Sequence, residues 1–326
     1  MKRRIAVIIG YNGKDYHGSQ LNKDFPTVEY QLVKGFLEIS AIKEINSLDP
    51  KKIGLQRGSR TDKGVHAVMA VITLKIEKDI TSCDLKKLKF FLETKNIYLY
   101  KIVRVSKSFM PKHQCDSRIY EYLLPSFIFS SDLSDKDYKI SEETHSLLRD
   151  LFVKYIGTHN FINFTSKNNT KGPIRFIKNV EANEKFVYNG FEFIKIRITG
   201  NSFLFNQIRK MIGYVISLVI YKKDEAISDF KMAFENDYLG KMNIPRVPGC
   251  FLYLDSPVFD FFNKKTAYEP IEISNEEYEL VKDKLIFKQI LNDDNITIFK
   301  NWFDIFKIYD YEFTWLLKTN QISAVS

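Results

Sequence analysis

One carboxylate framed by cations is the first feature of this 326-residue chain that could do chemistry. The run Arg60-Thr61-Asp62-Lys63-Gly64-Val65-His66-Ala67 leads into a stretch that reads as a strand. Asp62 lies between Arg60 and Lys63. A carboxylate is ionised near neutrality, and flanking cations keep it so. Such a group can act as a nucleophile or a base, and its basic neighbours can hold an anionic ligand beside it. The same residues also suit an ordinary turn, where Asp and Gly are favoured.

Two more constellations combine cations with aromatic or apolar groups. In Arg118-Ile119-Tyr120-Glu121-Tyr122 the strand period of two puts Arg118, Tyr120 and Tyr122 on one face. That face suits stacking on nucleic-acid bases, and equally an ordinary cross-strand aromatic pair. In the run from Gly200 to Gly213, helical spacing aligns Phe205, Ile208, Ile212 and Ile216 towards a core. Arg209 borders that apolar face. An unpaired buried charge is costly, so Arg209 needs an anion, for which Asp62 is a candidate. Otherwise its stem packs while its head reaches water.

Other chemistries find no pattern. The five histidines (His17, His66, His113, His145, His159) form no H-E-x-x-H, and Cys83, Cys115 and Cys250 form no C-x-x-C. No metal site is expected. Gly10, Gly13 and Gly18 match neither a dinucleotide-binding nor a P-loop pattern.

The elements that must position these residues follow from periodicity. Arg4–Tyr11 reads as a buried strand, and Thr27–Ile45 as a helix capped by Thr27. Strands are expected at Ile53–Leu55 and Val68–Ile76, a helix at Asp84–Glu93 and a strand at Ile97–Val105. The order β-α-β-β-α-β is a ferredoxin-like unit, one that also underlies many RNA-binding sheets. Further on come a strand at Arg118–Leu124 and a helix at Ser141–Tyr155. A hairpin follows around Tyr188-Asn189-Gly190, then a helix at Phe203–Tyr221 and a short strand at Phe251–Leu254. Helices are expected after Ser274. The two halves read as similar α/β lobes sharing one sheet.

Composition narrows the partner. Hydrophobic residues make up 44% and charged residues 27%, which excludes a mostly disordered chain and a disulfide scaffold. The net charge is +9, but residues 256–326 carry eight Lys and twelve Asp or Glu. A basic body with a mildly acidic tail points to a polyanion, with nucleic acid first. The sparse cysteines suit a reducing compartment. The longest apolar stretch, Met211–Tyr221, is too short to span a membrane, so no membrane partner is expected.

In this order and spacing, the constellations resemble the TruA class of tRNA pseudouridine synthases, from about Arg4 to about Asp260. Arg60–Ala67 matches the family's R-T-D-x-G-V-x-A signature, which is highly specific. Gly10-Tyr11-Asn12-Gly13 with Tyr16-His17-Gly18-Ser19-Gln20 is similar to its opening Y-D-G…Y-x-G-x-Q. The segments Cys115–Pro125, Gly157–Phe161 with Asn163–Thr165, and Gln207–Met211 resemble the eukaryotic multisite-specific branch. Lys63 also favours that branch, whereas His66 is commoner in bacterial members. Phe251 departs from the pattern, since the family usually has Gly there, and this bears on loop packing.

The resemblance implies an α/β (α+β) pseudouridine synthase fold. Two ferredoxin- or RRM-like lobes would share a mostly antiparallel central sheet flanked by helices, with a helical C-terminal extension. The expected divisions are residues 1–112, 113–260 and an acidic extension at 261–326. Asp62 would be the catalytic aspartate, attacking the ribose or base of a flipped uridine or aiding glycosidic cleavage. Tyr120 would stack on the target base and later take part in removing the C5 proton. Arg209 would pair with Asp62. Arg60 would fill the space left by the flipped nucleotide, while Lys63, His66, Arg118 and Lys210 would contact the RNA. Neither a cofactor nor a nucleotide is required. The expected partner is tRNA, with other structured RNAs as further candidates, and the expected state is a monomer. Localisation to the nucleus, ahead of the cytoplasm, follows from the branch alone. The alternative from a different class is a non-catalytic RNA-binding protein or tRNA chaperone on the same scaffold.

Overall fold

Nine residues, Arg3–Tyr11, form strand β1, buried from Arg4 onward. The structure, a computed structural model, describes residues 3–308 apart from 48, 134, 168–171 and 236–241. After β1 come α1 (Val28–Glu38), β2 (Gln56–Arg57), β3 (His66–Ile76), α2 (Ser82–Glu93) and β4 (Ile97–Arg104). Next are β5 (Ser117–Pro125), α3 (Glu142–Val153), β6 (Gly157–Asn160), β7 (Ile174–Tyr188), β8 (Phe191–Gly200) and α4 (Gln207–Tyr221). Strand β9 (Leu252–Val258) is followed by α5 (Asn275–Val281) and α6 (Asp293–Ile308). The fold is mixed α/β, with a large, mostly antiparallel sheet flanked by helices, as the sequence predicts. Among the described residues, no helix is long and apolar enough to cross a membrane.

The chain divides into two compact units, residues 1–120 with 253–290, and residues 121–252 with 291–326. In the first unit the strand order is β4-β1-β3-β9, with β2 on β3. Strand β1 lies between two partners and is also buried on both faces, which is why it reads as a nearly continuous apolar run rather than an alternating one. It pairs antiparallel with β3 in the register Val7↔Ile72 and with β4 in the register Val7↔Ile102. Strand β3 meets β9 in parallel, His66 opposite Tyr253 and Ala67 opposite Leu254. The start of β3, where the Asp62 loop ends, is therefore anchored on both sides.

Helix α1 begins where the cap was expected, with the Thr27 side chain accepting from Tyr30 N. It is shorter than its periodicity predicts, ending at Glu38, and Ser40 then turns the chain at φ 53°. Helix α2 starts with a capping box, Thr81 and Asp84 each bonding the other's backbone. Glu29 on α1 is fully buried. Its carboxylate accepts from Leu21 N at 2.8 Å and from Arg57 Nη2 at 2.9 Å, while its backbone N donates to Ser19 O at 3.1 Å. A buried charge satisfied this fully joins the opening loop to β2, just ahead of the Asp62 loop.

In the second unit, β7 and β8 form the expected hairpin, with Asn189 and Gly190 both at positive φ. Strand β6 pairs with β7 at its far edge. Glu121, fully buried, is held in an ion pair by Arg197 of β8. Helix α4 is buried on nearly all sides from Gln207 to Val219, which explains its apolar composition all round. Phe251, at the family's glycine position, is fully buried. Its ring lies 6.3 Å from Tyr122, 6.1 Å from Phe193 and 5.5 Å from Phe299 of α6. The larger side chain thus fills space that an aromatic from the C-terminal helix also lines.

Candidate active site

The loop from Arg60 to Val65 is both a turn and a display. Val65 N donates to Asp62 O at 3.1 Å, and Gly64 sits at φ 76°. So Asp and Gly are good turn residues here, and the turn still leaves the Asp62 side chain only half-buried. Arg60 and Lys63 are exposed on either side of it. Thr61 points inward and is buried.

The opening segment braces this loop from one end to the other. Thr61 N donates to Ser19 Oγ at 3.0 Å, and Ser19 N donates back to Thr61 O at 3.2 Å. The Thr61 and Tyr11 hydroxyls meet at 2.8 Å. Gly64 N donates to Tyr16 O, and Gly13 N donates to His66 Nδ1, both at 3.1 Å. Two glycines make the approach possible. A Cβ on Gly13 would lie 2.1 Å from Val65 O, and one on Gly18, at φ 90°, would lie 2.8 Å from Thr61 O. Tyr11, Ser19 and Thr61 are supporting residues to which sequence reasoning gave no role. Their only signal was membership of the opening motif for Tyr11 and Ser19, and of the Arg60–Ala67 run for Thr61.

Tyr120 belongs to the same unit. It is 8% exposed, and its hydroxyl donates to Arg60 O over a long 3.4 Å. Burial raises its pKa first; Arg118 pulls it down, and the nearby Asp62 carboxylate pushes it further up. At neutral pH it is therefore a neutral phenol beside an acidic group. The structure brings Asp62 and Tyr120 close enough for the carboxylate charge to act on the phenol.

Arg118 and His66 hold bracing positions within the unit. Arg118, Tyr120 and Tyr122 do share a strand face, but that face is covered rather than open. The buried Arg118 guanidinium donates to Gly58 O and Lys112 O, each at 2.8 Å. His66 is 2% exposed, and burial lowers its pKa to about 4. It is a neutral acceptor for Gly13 N, and has no charge to offer a phosphate.

This burial makes stability depend on pH. The unfolded imidazole titrates near 6.5, so between there and about 4 the unfolded chain binds more protons. The His66 contribution is complete above pH 6.5 and is lost as pH falls towards 4. We expect a loss of about 2 kcal/mol between pH 7 and pH 5 from this residue. Urea unfolding of wild type and His66→Asn at both values checks it. Equal pH dependence in the two proteins would show that His66 does not titrate in this way.

Arg209 and Lys210 lie in the second unit, in the first turn of α4. Arg209 is half-buried. Its Nε donates to Val247 O at 2.7 Å, and its Nη1 reaches Asn206 Oδ1 at 3.5 Å. Lys210 is 8% exposed, which again places it inside rather than on a surface. Helix α4 starts four residues later than expected, because Asn206 adopts a left-handed conformation, φ 63°. That breaks the helical phase between Phe205 and Ile208, and Phe205 is 45% exposed instead of facing the core. Among the described residues, no group of three His, Cys, Asp or Glu side chains is placed to hold a metal ion.

A half-buried aspartate in a braced R-T-D loop thus lies beside a buried tyrosine on an α/β scaffold. The chain belongs to the tRNA pseudouridine synthase family, whose sequence model matches residues 151–260. It is similar to the pseudouridylate synthase 1 homolog of Mus musculus, 34% identical over 307 residues, covering 90% of this chain and 71% of that one. The Homo sapiens pseudouridylate synthase 1 homolog is also 34% identical, covering 89% and 69%. The tRNA pseudouridine synthase 1 of Candida glabrata is 31% identical over 398 residues, covering 94% and 71%.

Proposed function

We propose that this protein isomerises several uridines in and near the anticodon stem of tRNA, with Asp62 starting the reaction. The observation that carries the reading is Asp62 itself, presented half-buried between exposed Arg60 and Lys63 on a loop braced at Thr61, Gly64 and His66. A base stacked in a stem cannot be turned over in place, so the nucleotide must flip out at a cost of a few kcal/mol. Arg60 fills the space the nucleotide leaves, and Lys63 offsets part of that cost through a phosphate contact.

Asp62 then attacks the flipped nucleotide or assists departure of its base. The C1'–N1 bond breaks, the uracil turns, and a C1'–C5 bond forms. The proton leaves C5 and N1 gains one, so the atoms balance with no redox change and no co-reactant. Tyr120, a neutral phenol, stacks on the base and takes the C5 proton only by passing its own onward. Arg209 has the role the family resemblance gives it, the cation that keeps Asp62 charged during turnover. The monomeric state and nuclear placement belong to the same proposal and rest on the branch resemblance.

The reading is tested with tRNA transcripts carrying tritium at uridine C5, without added metal or nucleotide. Wild-type protein releases label to water as isomerisation proceeds. Tight binding with no release from a mixed tRNA pool would favour a binding protein instead. Tyr120→Phe keeps the ring and loses the hydroxyl. Its kcat is expected to fall about 10²–10⁴-fold with KM within about threefold, as for loss of a proton-transfer group. An unchanged kcat would remove the hydroxyl from the chemistry.

A further inference from the structure

Phe205 is an exposed aromatic ring in a place that invites a ligand. A single exposed apolar residue is ordinary, so its 45% exposure decides nothing alone. Its surroundings add more. Lys167 Nζ lies 5.7 Å from the ring centroid, a cation over a π face. Asn206 turns the chain at positive φ just after Phe205, which keeps the ring out of the helix that follows. The Asn206 side chain donates to Ser166 Oγ at 2.9 Å, so the segment bearing Phe205 is fastened to the segment bearing Lys167. Arg209 also reaches Asn206, at 3.5 Å. A flat ring, a lysine and a nearby arginine on two joined loops are what an unpaired nucleotide needs. The base stacks on the ring and the phosphate meets the lysine.

We propose that Phe205 and Lys167 form a binding station for one unpaired nucleotide of the substrate RNA. This rests on the reading that the substrate is RNA. Stacking accepts any base, because every base has a π face, so the station adds affinity without adding sequence choice.

The test measures tRNA-transcript binding by electrophoretic shift across a salt series. The proteins are wild type, Phe205→Ala, Phe205→Leu, Phe205→Tyr and Lys167→Gln. Phe205→Ala is expected to bind about 10- to 100-fold more weakly, the scale of one lost base stack. Phe205→Leu keeps apolar bulk without a π face and also weakens binding, whereas Phe205→Tyr stays within about twofold of wild type. Lys167→Gln lowers the slope of log K against log salt by about 0.7, one single-strand phosphate contact. Wild-type affinity in both Phe205→Ala and Phe205→Leu would overturn the station. So would equal weakening by Phe205→Tyr, which would mark a packing effect. Tritium release by the wild type separates the two readings. No release, with affinity still dependent on the ring, would sink the isomerase reading and leave the station standing.

Discussion

Asp62→Ala is expected to abolish tritium release from C5-labelled tRNA, by at least about 10³-fold, while tRNA binding stays within about threefold of wild type. The turn is closed through backbone, Val65 N to Asp62 O, and its anchor is Thr61, fixed by Ser19 and Tyr11. None of those bonds uses the Asp62 side chain, so they continue to hold the loop in the variant. What is lost is the group placed to begin bond exchange at C1'. Asp62→Asn sharpens the test, since Asn suits the turn equally well and removes only the charge. Substantial release by either variant would take Asp62 out of the reaction. Loss of binding as well as release would mean that the carboxylate organises the loop rather than the chemistry.

Gly13→Ala is expected to have the second-largest effect, on stability and turnover together. A Cβ at this position would sit 2.1 Å from Val65 O and 3.1 Å from His66 N, and both of those atoms are backbone. No side-chain rotation relieves such a contact, so either the opening loop or the Asp62 loop must move. Movement also lengthens the bond from Gly13 N to His66 Nδ1. The cost should be about 1–3 kcal/mol, typical of overpacking in a tight interior. A shift of about 1 Å at Asp62 should lower kcat by about 10²-fold, since catalysis depends on placement at that scale. Thermal unfolding and tritium release, measured on the same preparation, check both parts. A normal melting temperature with normal turnover would show that the contact is looser than the structure has it.

Much of this was written locally in the chain. The near-continuous apolar run of Arg4–Tyr11 predicts a buried strand, and β1 is indeed buried from Arg4 onward. Thr27 caps α1, and Asn189-Gly190 makes the hairpin turn, because those residue types satisfy their own backbone demands. The Arg60–Ala67 run announced its carboxylate, its turn and its cations within eight residues. Arg118 and His66 were legible as residues, but their burial was not. Period two fixes which face of a strand a side chain takes, but it does not say whether that face is covered. Carbonyls from Gly58 and Lys112 occupy the Arg118 head, and nothing near Arg118 in sequence points to Gly58.

The sequence by itself determined most of the elements, the Asp62 loop and the family, since these depend on local periodicity, turn chemistry and a contiguous motif. Only the tertiary structure decided which of the marked residues face outward and which lie inside. It showed that the opening segment clamps the Asp62 loop through Tyr11, Gly13, Tyr16 and Ser19. It also showed that Phe251 packs against Phe299, and that Phe205 leaves the helical phase at Asn206. Each of these rests on a contact across many residues or on a single backbone angle. Burial and hydrogen-bond partners belong to the folded arrangement as a whole, and no window of sequence contains them.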